Sequence, residues 1–282
     1  MPCATLRSAT TDSPPRLYEE AGLPSFALEF VPAVLTRSVA LLRLLLQDGA
    51  IDLELASCVV ALDPGLAFAV LQLANAGSDP LATPVWQLPS ALVAAGREAL
   101  QSVLQCAPRV ESAGMLSGRL ATLTCNAVVR ASIAQLLARE LGCSNPRKSF
   151  LAGLLLETPE MIAVSQPRRA VDRTRLLAAM LASLPAPVVN AAMSGKHAMK
   201  NVPDPLTAIT LLSQALRCKA LDGTALDVMA ARYWCCWPEC TASRREMLME
   251  RCLELARWAG ENLYRLEPWD FLSRLERRCP WS

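Results

Sequence analysis

At three widely separated places an Asp or Asn stands directly before proline at the head of an apolar helical stretch: Asp63-Pro64, Asn145-Pro146 and Asp204-Pro205. Each pair is a helix start signal. The side chain accepts orphan amide hydrogens of the first turn, and proline at the first helical position has no amide hydrogen to leave unpaired. Around these pairs run segments with helical apolar spacing and no sustained alternation of strand-forming residues. Hydrophobic residues make up 52% of the chain but aromatics only 5%. Leu and Ala, both strong helix formers, supply much of the rest. The fold class these features predict is all-α.

Further punctuation sets the expected elements. Asp52 caps a helix to about Ala61. A long apolar stretch, Phe26 to Gln47, is expected as helix with Pro32 in its first turn and Asp48-Gly49 as its stop. Pro89 and Ser90 open a helix to about Cys106, halted by Pro108. Leu120 to Leu141 reads as one amphipathic helix closed by Gly142. Later helices are expected over 172–184, 187–193, 206–219, 224–234, 243–266 and 268–277. The Gly114–Gly118 spacing lies in a polar setting and reads as a loop. The chain divides into a disordered N-terminal tail (1–22), a compact multi-helix domain (23–221) and an additional C-terminal helical segment (222–282), packed on that domain or continuous with it.

Charge and cysteine content bound the function classes. Formal net charge is +2, and basic residues form only short clusters (Arg168, Arg169, Arg173, Arg175; Arg274, Arg277, Arg278). That argues against a dedicated nucleic-acid binder, which concentrates a basic stripe. No uninterrupted apolar run approaches the length that spans a bilayer, since even Val39–Leu46 contains Arg43. The first fifteen residues lack the apolar core of a signal peptide. Eleven scattered cysteines, an odd number, do not form a disulfide framework and point to a reducing cytoplasm.

The Trp- and Cys-rich segment around Trp237-Pro238 carries Cys235, Cys236 and Cys240. Their spacing offers half of a zinc site. A closed site needs four ligands, the remainder coming from Cys252 or Cys279, so packing is the simpler reading. Tyr233, Trp234, Trp237, Trp258 and Trp269 gather aromatic surface there, either as core or as an interface.

Read in order, several segments resemble the HDOD family, a branch of the HD hydrolase superfamily. Leu62-Asp63-Pro64-Gly65-Leu66, continuing to Leu73-Ala74-Asn75, is similar to that family's most recognisable stretch. Leu23-Pro24 with the following helix, Val85 with Leu88, and the Ala95-Gly96 pair match its neighbouring segments. So do Phe150-Leu151-Ala152-Gly153-Leu154-Leu155 and Leu184-Pro185 with Val188-Val189. The resemblance runs from about Leu23 to Leu221. It makes Asp63, Pro64, Asn75, Gly153 and Pro185 architectural positions.

It also implies a lost metal site. HD hydrolases bind divalent ions with histidines and aspartates, lowering the pKa of a bound water until it attacks a phosphoester. Aligned on these landmarks, the His-Asp pair falls on Leu156 and Glu157, and the upstream histidine on Asn126. The downstream aspartate falls near Gln214, and the paired histidines on Lys196 and His197. The chain has a single histidine, so no multi-histidine site exists in any register. These six positions are the expected rim of a vestigial pocket with no catalytic residue, metal or cofactor. The function implied is a non-catalytic regulatory module of bacterial signalling, cytoplasmic, acting on a protein partner. The alternatives are a residual HD-type phosphohydrolase and a domain that senses a nucleotide, or another anion, without catalysis.

Overall fold

A computed structural model describes residues 32–47, 52–76, 84–106, 115–165, 176, 180, 184–193, 204–223 and 233–278. In chain order its α-helices are α1 (Thr36–Gln47), α2 (Leu53–Ala61), α3 (Pro64–Asn75), α4 (Leu88–Ala95), α5 (Arg97–Cys106) and α6 (Met115–Glu140). They continue as α7 (Pro146–Leu155), α8 (Thr158–Ser165), α9 (Ala186–Met193), α10 (Pro205–Asp222), α11 (Ala242–Asn262) and α12 (Pro268–Arg278). A 3-10 turn, Trp234–Cys236, precedes α11. No strand occurs among the described residues, and the fold is all-α.

The proline signals do what their chemistry dictates. Asp63 Oδ1 accepts from the Leu66 amide at 3.0 Å, Asn145 Oδ1 from Lys148 at 3.2 Å, and Asp204 Oδ1 from Leu206 and Thr207 at 3.0 and 3.1 Å. Asp52 caps α2 through the Leu55 amide. Asp63 does more than cap. It is fully buried, and its Oδ2 accepts from the Leu35 amide at 2.9 Å. This bond ties the chain before α1 to the start of α3. Gly65 permits the approach, because a Cβ there would lie 2.7 Å from the Ala33 carbonyl oxygen.

Several boundaries differ from those expected. α1 starts at Thr36 and not near Pro32, because residues 33–35 are drawn onto Asp63. The helix expected from Pro89 to Cys106 is two helices, broken at Gly96, whose φ of +76° leaves the right-handed helix. α8 was not foreseen; it buries Met161 and Val164 against Leu120, Leu123 and Ala33. Gly118 lies inside α6 rather than in a loop. Of the segments expected as helices over 172–184 and 224–234, only Leu176, Met180, Leu184, Tyr233 and Trp234 are described, and the 1–22 tail lies outside the described residues.

α6 is the axis of the molecule. α7, α10 and α11 pack directly on it, while α3 packs mainly against α4. By length and composition alone, Gly118–Glu140 is apolar enough to cross a membrane, but 78% of its apolar window is buried inside the protein. Its apolar side chains meet other helices all round, as those of a central core helix must.

The C-terminal segment is knitted to the rest. α11 buries Leu248, Cys252, Leu255, Ala256 and Ala259, and Arg251 pairs with Glu140 of α6 at 3.0 Å. Arg37 of α1 donates to the Leu266 carbonyl and pairs with Glu267, both at 3.0 Å. Trp258 stacks on Phe271 with ring centroids 5.1 Å apart, and α12 reaches across to α2.

Candidate functional site

Among the described residues the largest fully buried side chain is charged. Arg130 sits at the middle of α6 with no exposed surface. Its Nε donates to the Gly153 carbonyl of α7 at 2.8 Å. Its Nη1 donates to Glu157 Oε1 at 2.7 Å, in the turn between α7 and α8, and to Gln214 Oε1 of α10. One guanidinium thus joins four segments.

Local structure makes this possible. Gly153 lies where α7 crosses α6, and a Cβ there would fall 2.9 Å from the Ala131 Cα. Without a side chain at this point the helices close up, and the Gly153 carbonyl comes within reach of Arg130. Gln214 is held in turn by its own helix, its Nε2 lying 3.8 Å from Cys218 Sγ.

Burial pushes the Arg130 pKa down, and the Glu157 carboxylate opposes that shift; Arg217 is close enough to add to it by repulsion. A guanidinium starts so high that it keeps its proton. An isolated buried charge is costly, and a partner carboxylate with further hydrogen bonds makes it tolerable. Glu157 is that partner, with a side chain only 12% exposed. Arg217 is itself nearly buried and pairs with Asp222 at 2.9 Å. Arg130 Nη2 and Arg217 Nε have no hydrogen-bond partner among the described residues.

Four of the six vestigial-pocket positions are described. Glu157 and Gln214 meet on Arg130. Leu156 caps the end of α7 beside them, half-buried. Asn126 lies one turn before Arg130 on the same helix, half-buried. Lys196 and His197 lie outside the described residues. The sequence reading missed Arg130 altogether. Its signal was a lone charge in the middle of the most apolar long helix, one turn from the position assigned to the upstream histidine.

These groups do not fit a divalent ion. Leu156 offers no donor atom, and a cation already lies between Glu157 and Gln214, where the resemblance puts two metal-binding carboxylates. Among the described residues no three His, Cys, Asp or Glu side chains converge on one point. That holds for Cys235, Cys236 and Cys240 as well. Cys240 is buried, and the Cys236 thiol is pushed up to about 11, chiefly by burial and then by Cys235. Trp234 and Trp237 are buried edge to face at 6.5 Å, so they belong to the core.

The other positions that the resemblance singles out hold local structure away from Arg130. Asn75, at the end of α3, donates to the Leu71 and Val85 carbonyls and accepts from the Val85 amide at 2.7 Å. It pairs with the incoming chain as a strand neighbour would. Pro185 precedes α9, its carbonyl accepting from Val188 at 2.9 Å.

A family model described as the HDOD domain matches residues 31–194, more than half of the chain. No curated protein and no solved structure matches it.

Proposed function

The chain belongs to the HDOD domain family, and from that premise we propose that it is a non-catalytic regulatory module that works by binding a protein partner. The observation that carries this reading is the placement of Arg130. A buried guanidinium, paired with Glu157 and bonded to Gln214, takes the ground that metal-activated hydrolysis would need. A protein cation cannot do the same chemistry. It has no exchangeable coordination position and generates no hydroxide from bound water. What it does is lock α6, α7 and α10 into one rigid body, a scaffold suited to presenting a surface.

Eleven scattered cysteines, an odd number, support a reducing cytoplasm as the working compartment, and a bacterial signalling pathway as the setting belongs to the same proposal. Purified protein incubated with Mn²⁺ or Mg²⁺ and bis(p-nitrophenyl) phosphate is expected to give no turnover above metal alone. Turnover that disappears in Glu157→Ala would overturn the reading.

One observation favours a second reading. Arg130 Nη2 is a buried donor without a partner among the described residues, with Arg217 nearby. A small anion, such as one phosphate of a nucleotide, would satisfy it. A nucleotide panel followed by thermal shift tests this, and an unchanged melting point across the panel removes it.

A further inference from the structure

Away from Arg130, a cleft of about 480 Å³ opens between the N-terminal helices and α12. Its volume falls in the range of small-molecule sites. The floor is apolar and buried, with Phe150, Leu151 and Leu272. Trp86 and Trp269 contribute half-buried indoles to the walls. Among the described residues, Glu54 of α2 and Glu276 of α12 supply two exposed carboxylates, and Arg147 of α7 a guanidinium. Cys58 also lines it, but burial, with Glu276 and Glu54 adding, pushes its thiol up to about 11. It is a wall and not a nucleophile.

Three features give this cleft the character of a binding site rather than a surface dent. Its walls are prearranged, because the Asn75 amide grips Val85 on both its carbonyl and its amide and so fixes where Trp86 emerges. Trp86 already carries one cation, with Lys148 Nζ 5.3 Å from its ring centroid, and indole faces attract cations. Glu54 and Glu276 give the rim two carboxylates, and desolvation raises the Glu276 pKa, opposed by Arg147 more than Glu54 adds to it. A cation entering the cleft would meet both carboxylates and the aromatic walls at once.

We infer that the cleft between Trp86 and Trp269 binds a small organic cation, a flat or apolar body bearing a guanidinium or ammonium group that Glu54 and Glu276 receive. This site goes beyond the regulatory reading and shares no residue with the Arg130 cluster. It also uses α12, which lies outside the part matched by the family model.

The test is calorimetric titration of the full chain with phenylguanidine, its neutral isostere phenylurea, and benzoate. Phenylguanidine is expected to bind one to one, with Kd of order 1 mM or tighter for a ligand of this size. Phenylurea should bind at least roughly tenfold more weakly, since it lacks the charge-assisted bonds. The variant carrying Glu54→Gln and Glu276→Gln should lose the preference, the two probes becoming equal while its melting point does not fall below that of the parent. Trp269→Ala should weaken phenylguanidine as well. The proposal is overturned if no saturable heat appears up to roughly 10 mM probe, if benzoate binds as tightly as the cation, or if the preference survives in the double variant.

Discussion

Arg130 Nη1 lies 2.7 Å from Glu157 Oε1, across 27 residues of sequence, with the arginine wholly buried and the glutamate nearly so. The pair links the central helix to the turn that follows α7. The stability of the helical body depends on both partners being present.

Removing one partner should therefore be costly. Arg130→Ala leaves the Glu157 carboxylate without its counter-charge and strands the Gly153 carbonyl and Gln214. A loss of about 3–5 kcal/mol is expected from such a break, read as a lower urea midpoint. Arg130→Met combined with Glu157→Leu should recover most of it, because replacing both ions with apolar groups of similar size is often neutral. A single variant costing under about 1 kcal/mol would show that the pair holds nothing together.

Gly153→Ala tests the helix crossing that brings α7 to Arg130. The added methyl meets the Ala131 backbone at 2.9 Å and 3.2 Å, so the helices must separate. A cost of about 1–3 kcal/mol is expected for overpacking a tight core. Gly118→Ala on the same α6, where a Cβ would meet nothing within 4 Å, should be neutral or stabilising and serves as the control.

Asp63 is buried with two backbone amides on its carboxylate, and Asp63→Ala should cost about 2–4 kcal/mol by losing a cap and leaving the Leu35 amide unsatisfied. Its titration has a definite sign. Burial raises its pKa above 3.8, and the bonds from Leu35, Leu66, Ser38 and Gly65 only partly oppose that. A raised folded value means the proton is held more tightly in the native state. The group's stabilising contribution is full below 3.8 and declines as pH rises through the folded value. Urea melts across the acid range should show the parent losing ground to Asp63→Asn as pH increases. The opposite slope would contradict the assignment.

Asn75→Ala should release the segment that carries Trp86. The amide makes three hydrogen bonds, to Leu71 and twice with Val85, and hydrogen exchange at the Val85 amide should accelerate markedly more than at residues within α3. Unchanged protection there would mean the segment is held by other contacts.

The frame of this protein was legible because its signals are local. Asp63, Asn145 and Asp204 each announce a helix within three residues of themselves, and the structure satisfies each with a bond of that span. Gly96 was passed over because the apolar spacing continues across it, although its backbone leaves the helix. α8 was missed although Thr158-Pro159 at its start is a signal of the same kind; it follows α7 after only a two-residue turn. Arg130 was hidden for a different reason. Its partners are 23, 27 and 84 residues away, and an arginine in a helix reads as exposed until those partners are known. The cleft at Trp86 and Trp269 draws on α2, α7, α12 and the chain before α4, and no single stretch of sequence carries its pattern.

The proposed regulatory role rests on the Arg130 guanidinium standing between Glu157 and Gln214. Mn²⁺ titration followed by electron paramagnetic resonance tests it most directly, since free and bound Mn²⁺ differ sharply in signal. The free-ion signal should rise with added Mn²⁺ as in buffer, showing no stoichiometric sink in the parent protein. Loss of one equivalent of signal, abolished by Glu157→Ala, would contradict the account.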